Sequence, residues 1–140
     1  MPHTYPGRCH CGNVKFELSL PHSLDAYAPR ACDCDFCTSR GLGYLSDPAG
    51  KLVLHSQLTL ETLTQGSGKA EFLSCTRCRV IVSAVYRFEP GLKGAVNAKL
   101  IDEHELLQEP VTVSPKSLEP ILKIERWNKL WFPVMLYEGA

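Results

Sequence analysis

Four cysteines in two close pairs set the hardest limit on how this chain can fold. Cys9 and Cys11 form a C-x-C, and Cys75 and Cys78 form a C-x-x-C, with most of the first half of the chain between them. Four thiolates complete a tetrahedral zinc site and leave no position open. Cys9 and Cys11, two apart in extended chain, point the same way, and with only one or two residues inside each pair both pairs are already local, so only the two pairs must meet. One ion would then tie the N-terminal turn to the middle of the chain. Structural zinc in small domains contributes about 10–16 kcal/mol of apparent folding free energy, which matches or exceeds the whole stability of an ordinary domain. The residues alone leave a disulfide pair, an iron–sulfur cluster or four unrelated thiols as alternatives. Arg8, Arg77 and Arg79 flank the thiols. They are either solvated surface charges or the cations that offset the double negative charge of four thiolates on one divalent ion.

The remaining three cysteines are Cys32, Cys34 and Cys37, a C-x-C-x-x-C in the run Arg30-Ala31-Cys32-Asp33-Cys34-Asp35-Phe36-Cys37. Three protein ligands with a fourth position open is the pattern of a catalytic zinc. Water, a substrate thiolate, Asp33, Asp35 or a distant histidine would fill the fourth place. Zinc prefers sulfur, so a small thiol is a natural ligand there. Coordination would deprotonate it and hold it beside a carbonyl carbon. Arg30 and Arg40 flank the run and suit the carboxylates of such a thiol. The competing readings are a redox Cys34-x-x-Cys37 pair and inert buried thiols. A three-ligand site also loses its metal readily, so this second zinc is expected to be labile.

Seven cysteines is an odd count, which a full disulfide framework cannot use, whereas a division of four and three uses them all. The first eight residues lack the apolar core of a signal peptide, and no run approaches the roughly 18 apolar residues of a membrane span. The expected compartment is the cytoplasm, where thiols stay reduced. The formal net charge is zero, so no broad basic field is available for nucleic acid. The length of 140 residues suits one domain spanning 1–140.

The pattern along the chain is mostly β. Small antiparallel sheets with short helical turns are expected around the structural zinc. Val14 to Leu20 alternates apolar and polar, the mark of a strand with one buried face. Leu24 to Ala31 reads as an extended connection broken by Pro29. A short helix is expected from Asp35 through Arg40, ended by Gly41 or Gly43. Gly43 to Leu45, Leu52 to His55 and Leu58 to Thr64 are strand candidates, and Gln65 to Lys69 is a turn. Val80 to Phe88 is the strongest strand, rich in β-branched and aromatic residues. Ala95 to Ile101 reads as a further strand, and Asp102 to Gln108 as a short helix or loop. Val111 to Val113 and Ile121 to Ile124 are apolar runs in the tail. Trp127, Trp131 and Phe132 are clustered, with core packing the default and a ligand cleft or a homodimer contact the alternatives. His10, His55 and His104 read as surface or structural groups rather than ligands.

Taken together, G-x-C-x-C-G, then C-x-C-x-x-C, then C-x-x-C before an apolar strand resembles the glutathione-dependent formaldehyde-activating enzyme family, which includes the centromere protein V group. Gly7-Arg8-Cys9-His10-Cys11-Gly12-Asn13-Val14-Lys15-Phe16-Glu17 looks like the family's opening. Val96-Asn97 with Leu100-Ile101-Asp102, and Lys129-Leu130-Trp131, resemble later family segments. The resemblance implies a structural zinc on Cys9, Cys11, Cys75 and Cys78, and a second zinc on Cys32, Cys34 and Cys37 next to the substrate. It implies condensation of formaldehyde with glutathione, classed as a carbon–sulfur lyase reaction. It also implies a role for Asn97 near the second site. Two departures stand out. Asp33 replaces the family's usual histidine and adds negative charge beside three thiolates, which should weaken binding of an anionic thiol. Arg79 and Val80 replace a frequent glycine and threonine, and an arginine there restricts the backbone beside the first metal.

A zinc-ribbon module that binds a protein partner, and a thiol redox protein, are the alternatives to the enzyme reading. The first predicts a single metal and an exposed apolar patch, the second a reversible Cys34–Cys37 disulfide.

Overall fold

The computed structural model describes residues 3–32, 43–64, 71–87, 91–113, 125 and 128–138. The expected helix at 35–40, the turn at 65–69, the apolar run at 121–124 and Trp127 lie outside them. The fold is mostly β, as the alternation predicts, and its helical content among the described residues is mainly short 3-10 turns.

One half begins with β1 (His3–Arg8) and β2 (Val14–Leu20), an antiparallel hairpin that pairs His3 with Leu20 and Arg8 with Lys15. β5 (Lys51–Ser56) adds to the free edge of β2, pairing Phe16 with Leu54. In β2 and β5, alternate residues face inward: Val14, Phe16, Leu18 and Leu20, then Leu52 and Leu54. Their neighbours Lys15, Glu17, Lys51 and His55 face out, which is the period-2 pattern read from the sequence.

The other half is built on β9 (Leu92–Asn97). One edge of β9 carries β8 (Ile81–Arg87), followed outward by β7 (Glu71–Ser74) and β6 (Glu61–Thr64). Its opposite edge is shared. β11 (Phe132–Glu138) pairs at Lys93 and Gly94, and β4 (Tyr44–Leu45) pairs at Val96 and Asn97. Beyond β4 lie β3 (Arg30–Cys32) and β10 (Val111–Val113). Most pairings are antiparallel; β10 with β3 and β11 with β5 are parallel.

β11 joins the halves. Phe132 and Pro133 pair with β9, and Val134 to Glu138 pair with β5. At this junction Gly94 has no room for a side chain. A Cβ would run into the carbonyl of Ala84, with Val85 Cγ1 at 2.9 Å and Val134 Cγ2 at 3.1 Å. Phe132 is fully buried, so core packing is its role.

β8 is buried on both faces from Ile81 to Val85. Ser83 fits this setting because its hydroxyl donates to the Ala95 carbonyl at 2.7 Å. The expected strand from Ala95 to Ile101 stops at Asn97. The Asn97 side chain accepts from the Lys99 N–H at 3.1 Å and starts a 3-10 turn over Ala98–Leu100. Its amide donates to the Ile81 carbonyl at 2.8 Å. A further 3-10 turn covers His104–Leu106, within the stretch expected to be helix or loop. The connection expected to be extended holds a 3-10 turn at Leu24–Ala26 before it enters β3. Three strands had no counterpart in the sequence reading: β1, where only a turn was expected, β7 and β11.

Candidate metal centre

Both cysteine pairs occupy hairpin tips. Cys9 and Cys11 lie in the loop between β1 and β2, and Cys75 and Cys78 in the loop between β7 and β8. The two tips share a backbone plan. The Cys9 N–H donates to the Val14 carbonyl at 3.0 Å, and the Cys75 N–H donates to the Val80 carbonyl at 3.1 Å. Each tip also contains one residue in the left-handed region, Gly12 at φ 81° and Arg79 at φ 65°. Glycine takes that conformation without strain; arginine does not.

The tips meet. Ligand atoms of Cys9, Cys11, Cys75 and Cys78 all lie within 4.8 Å of one another. Cys9 Sγ is 3.7 Å from Cys11 Sγ, and Cys11 Sγ is 3.6 Å from Cys75 Sγ. Zinc–sulfur bonds of about 2.3 Å in a tetrahedron put the sulfurs about 3.8 Å apart. The donors therefore fit a tetrahedral metal ion such as zinc, and their separations exceed any disulfide bond. Among the described residues this is the only group of three or more potential ligands so gathered.

The sulfurs are not equivalent. Cys9 and Cys75 are buried, Cys78 is half-buried and Cys11 is exposed. Cys75 Sγ receives the Arg77 N–H at 3.4 Å and the Asn13 side-chain amide at 3.5 Å. Cys9 Sγ receives the Val14 N–H at 3.2 Å. Burial raises the Cys75 thiol, but the N–H groups of Cys78 and Arg77, then Asn13 and Cys11, outweigh it and bring it down to about 6. Burial pushes Cys9 up to about 11; the Val14 N–H opposes this, and the thiols of Cys11, Cys75 and Cys78 add to the rise.

Asn13 is buried at 5% exposure, and its Oδ1 has no partner among the described residues. The sequence reading did not single it out, because its role depends on a turn that carries it across to the other hairpin. The flanking arginines divide. Arg79 pairs with Glu61 at 3.7 Å, and Arg77 contributes its backbone N–H to the centre. Arg8 lines a shallow groove of about 250 Å³ beside Cys9, with His10, Lys99 and Asp102.

For the trio, the described residues reach only its first member. Cys32 ends β3, its backbone paired with Val113 of β10. Cys34 and Cys37 lie outside the described residues, as does Arg40. His55 stacks on Tyr137 with ring centroids 5.2 Å apart, and His104 Nδ1 lies 3.0 Å from the Ile101 carbonyl oxygen. Asn97 is committed to the Ile81 carbonyl and the Lys99 N–H.

No family model matches the chain. A curated protein of Halomonas elongata, named "Putative glutathione-dependent formaldehyde-activating enzyme", is 36% identical over 96 residues. That match covers 60% of this chain and 55% of the relative, so the chain spans little more than half the length of the curated protein it matches. A crystal structure of a Rhodobacter sphaeroides protein superposes with a TM-score of 0.57 at 24% identity, covering 77% of this chain and 99% of that one. This second likeness concerns the fold alone.

Proposed function

We propose that the chain is a single-domain, zinc-dependent enzyme that joins a small glutathione-like thiol to an aldehyde such as formaldehyde, a carbon–sulfur lyase acting in the cytoplasm. The observation that carries the reading is the convergence of the two hairpin tips on one tetrahedral set of thiols. The name of the Halomonas relative supports the same chemistry.

In this reading Cys9, Cys11, Cys75 and Cys78 hold a structural zinc, closed to substrate. Cys32, Cys34 and Cys37 hold a second, more labile one. A metal ion held by these three thiolates would lower the pKa of a thiol bound to it and hold the sulfur in place. The chain's own part is to hold three sulfurs as thiolates on one short segment. Cys32 is anchored by the β3–β10 pairing, so the segment leaves from a fixed strand end. The thiol sulfur then bonds to the aldehyde carbon, the carbonyl π pair moves to oxygen, and that oxygen takes up the proton the thiol gave up. Asp33 and Asp35 add negative charge beside the trio, which favours a less anionic thiol over glutathione itself.

Metal counting and an uncatalysed blank test this. The purified chain should carry up to two zinc ions, one removed by mild chelation without unfolding. Glutathione–formaldehyde condensation should exceed the blank in the wild type and fall to it in Cys34→Ser and Cys37→Ser. One zinc that resists mild chelation, with no rate above the blank for any small thiol, would overturn the enzyme reading in favour of a binding module.

A further inference from the structure

The four sulfurs of the centre differ in two properties that both bear on reactivity. One is access. Cys9 and Cys75 are 1% and 0% exposed, whereas Cys11 is an exposed residue. The other is hydrogen bonding. Cys75 takes N–H donors from Arg77 and Asn13, and Cys9 takes one from Val14. Among the described residues no N–H group donates to Cys11, whose Sγ lies 3.7 and 3.6 Å from the sulfurs of Cys9 and Cys75. Once a metal is held, all four are thiolates, so the protonation step no longer separates them. What separates them is how much of each lone pair is already engaged. A hydrogen bond to a thiolate stabilises its charge and lowers its nucleophilicity.

We propose that Cys11 is the reactive sulfur of the four-cysteine centre, the position at which a small soft electrophile bonds first and through which the centre releases its metal. The fitting reagents are small uncharged carbonyl compounds with a conjugated double bond. The Cys11 lone pair forms the new carbon–sulfur bond at the β-carbon. The C=C π pair moves onto the carbonyl as an enolate, which takes a proton from water. Nothing is oxidised and nothing leaves. The product is a neutral thioether, a far poorer ligand than a thiolate, so the metal keeps three sulfurs instead of four. Cys78 follows, because it is half-buried and no N–H group among the described residues donates to it.

The device rests on the four-cysteine metal reading and not on the trio. A chain that fails every thiol–aldehyde assay leaves it standing. The test treats the zinc-loaded full chain with sub-stoichiometric N-ethylmaleimide, maps adducts by peptide mass spectrometry and follows released zinc with a chromogenic chelator. Adducts on the peptide with Cys32, Cys34 and Cys37 are scored separately. Cys11 should be modified on the order of tenfold faster than Cys9 or Cys75, with one zinc released per Cys11 adduct. Compared with the wild type at equal zinc loading, Asn13→Ala should raise the Cys75 rate severalfold relative to the Cys11 rate. Modification of Cys9 or Cys75 first, one common rate for all four, or zinc retained after complete Cys11 modification would overturn the proposal.

Discussion

The side-chain amide of Asn13, on one hairpin tip, donates to Cys75 Sγ on the other across 3.5 Å. It is a cross-link between the two tips that does not pass through a metal. Partners that orient metal ligands typically shift affinity by about 10–100-fold. Asn13→Ala should therefore weaken zinc binding by about tenfold at fixed pH, read by competition with a chelator of known affinity. Asn13→Asp should be worse than alanine, because it sets a carboxylate against a thiolate. Equal affinity in all three proteins would mean that the contact has no part in holding the metal.

Gly94 sits where β8, β9 and β11 crowd together, and a methyl group there meets the Ala84 carbonyl as well as Val85 and Val134. The carbonyl belongs to the backbone and cannot swing aside. Gly94→Ala should cost about 2–3 kcal/mol, at the upper end of overpacking effects. Urea unfolding of the zinc-loaded protein measures it. Gly12→Ala is the control, since nothing lies within 4 Å of that position and only its φ of 81° opposes a side chain.

Arg79 holds a left-handed conformation beside Cys78, at φ 65°. An L-residue there costs roughly 1–2 kcal/mol relative to a right-handed conformation. Its ion pair with Glu61 spans 3.7 Å with the arginine side chain 75% exposed, so it returns little. Backbone strain outweighs both that pair and the added chain entropy of glycine. Arg79→Gly should raise stability by about 0.5–1 kcal/mol, whereas Arg79→Ala keeps the strain and should bring no gain. Denaturant midpoints of the three proteins, compared at equal zinc loading, give the sign.

Tyr27 donates its hydroxyl to Asp47 at 2.7 Å. Burial, with Asp47 adding to it, pushes the phenol up from 10.0 to about 12. The folded protein therefore keeps this proton where the unfolded chain has lost it. The stabilisation is complete below pH 10 and falls away as pH rises from 10 to about 12. Tyr27→Phe should lose about 1 kcal/mol at neutral pH, for a partly buried hydrogen bond to a carboxylate. Its stability should also decline less steeply than that of the wild type in the alkaline window, as followed by unfolding at fixed pH steps.

The strands that sequence reading found are those whose alternation is dictated by a half-buried face, as in Val14–Leu20, or whose β-branched run fits a doubly buried one, as in Ile81–Arg87. The strands it missed lack that signal for identifiable reasons. β1 begins His3-Thr4 and contains Pro6 and Gly7, residues that read as a turn. Gly7 belongs there because a side chain would collide with Phe16 and the Leu100 carbonyl, a packing fact with no local signature. β11 contains Pro133 and outward-facing Met135 and Tyr137, so its apolar positions do not alternate cleanly. For the centre, spacing alone was enough to bring four cysteines together, since a metal demands convergence whatever the intervening chain does. The donors Asn13, Val14 and Arg77 were not legible, because hydrogen bonds to sulfur depend on the shape of each turn rather than on residue type.

β11 is last in chain order among the described strands, yet it lies between β5 and β9. Until it arrives, β1, β2 and β5 have, among the described residues, no strand ladder to the rest beyond the Gly7–Ile101 bridge. During synthesis on the ribosome, both halves would keep an open edge until β11 is made, joined meanwhile by contacts such as Asn13 with Cys75 and Asp102 with Pro6. If the four sulfurs hold a metal ion, its supply to the nascent chain would help the closing strand find its slot before the open edges find one another on neighbouring molecules.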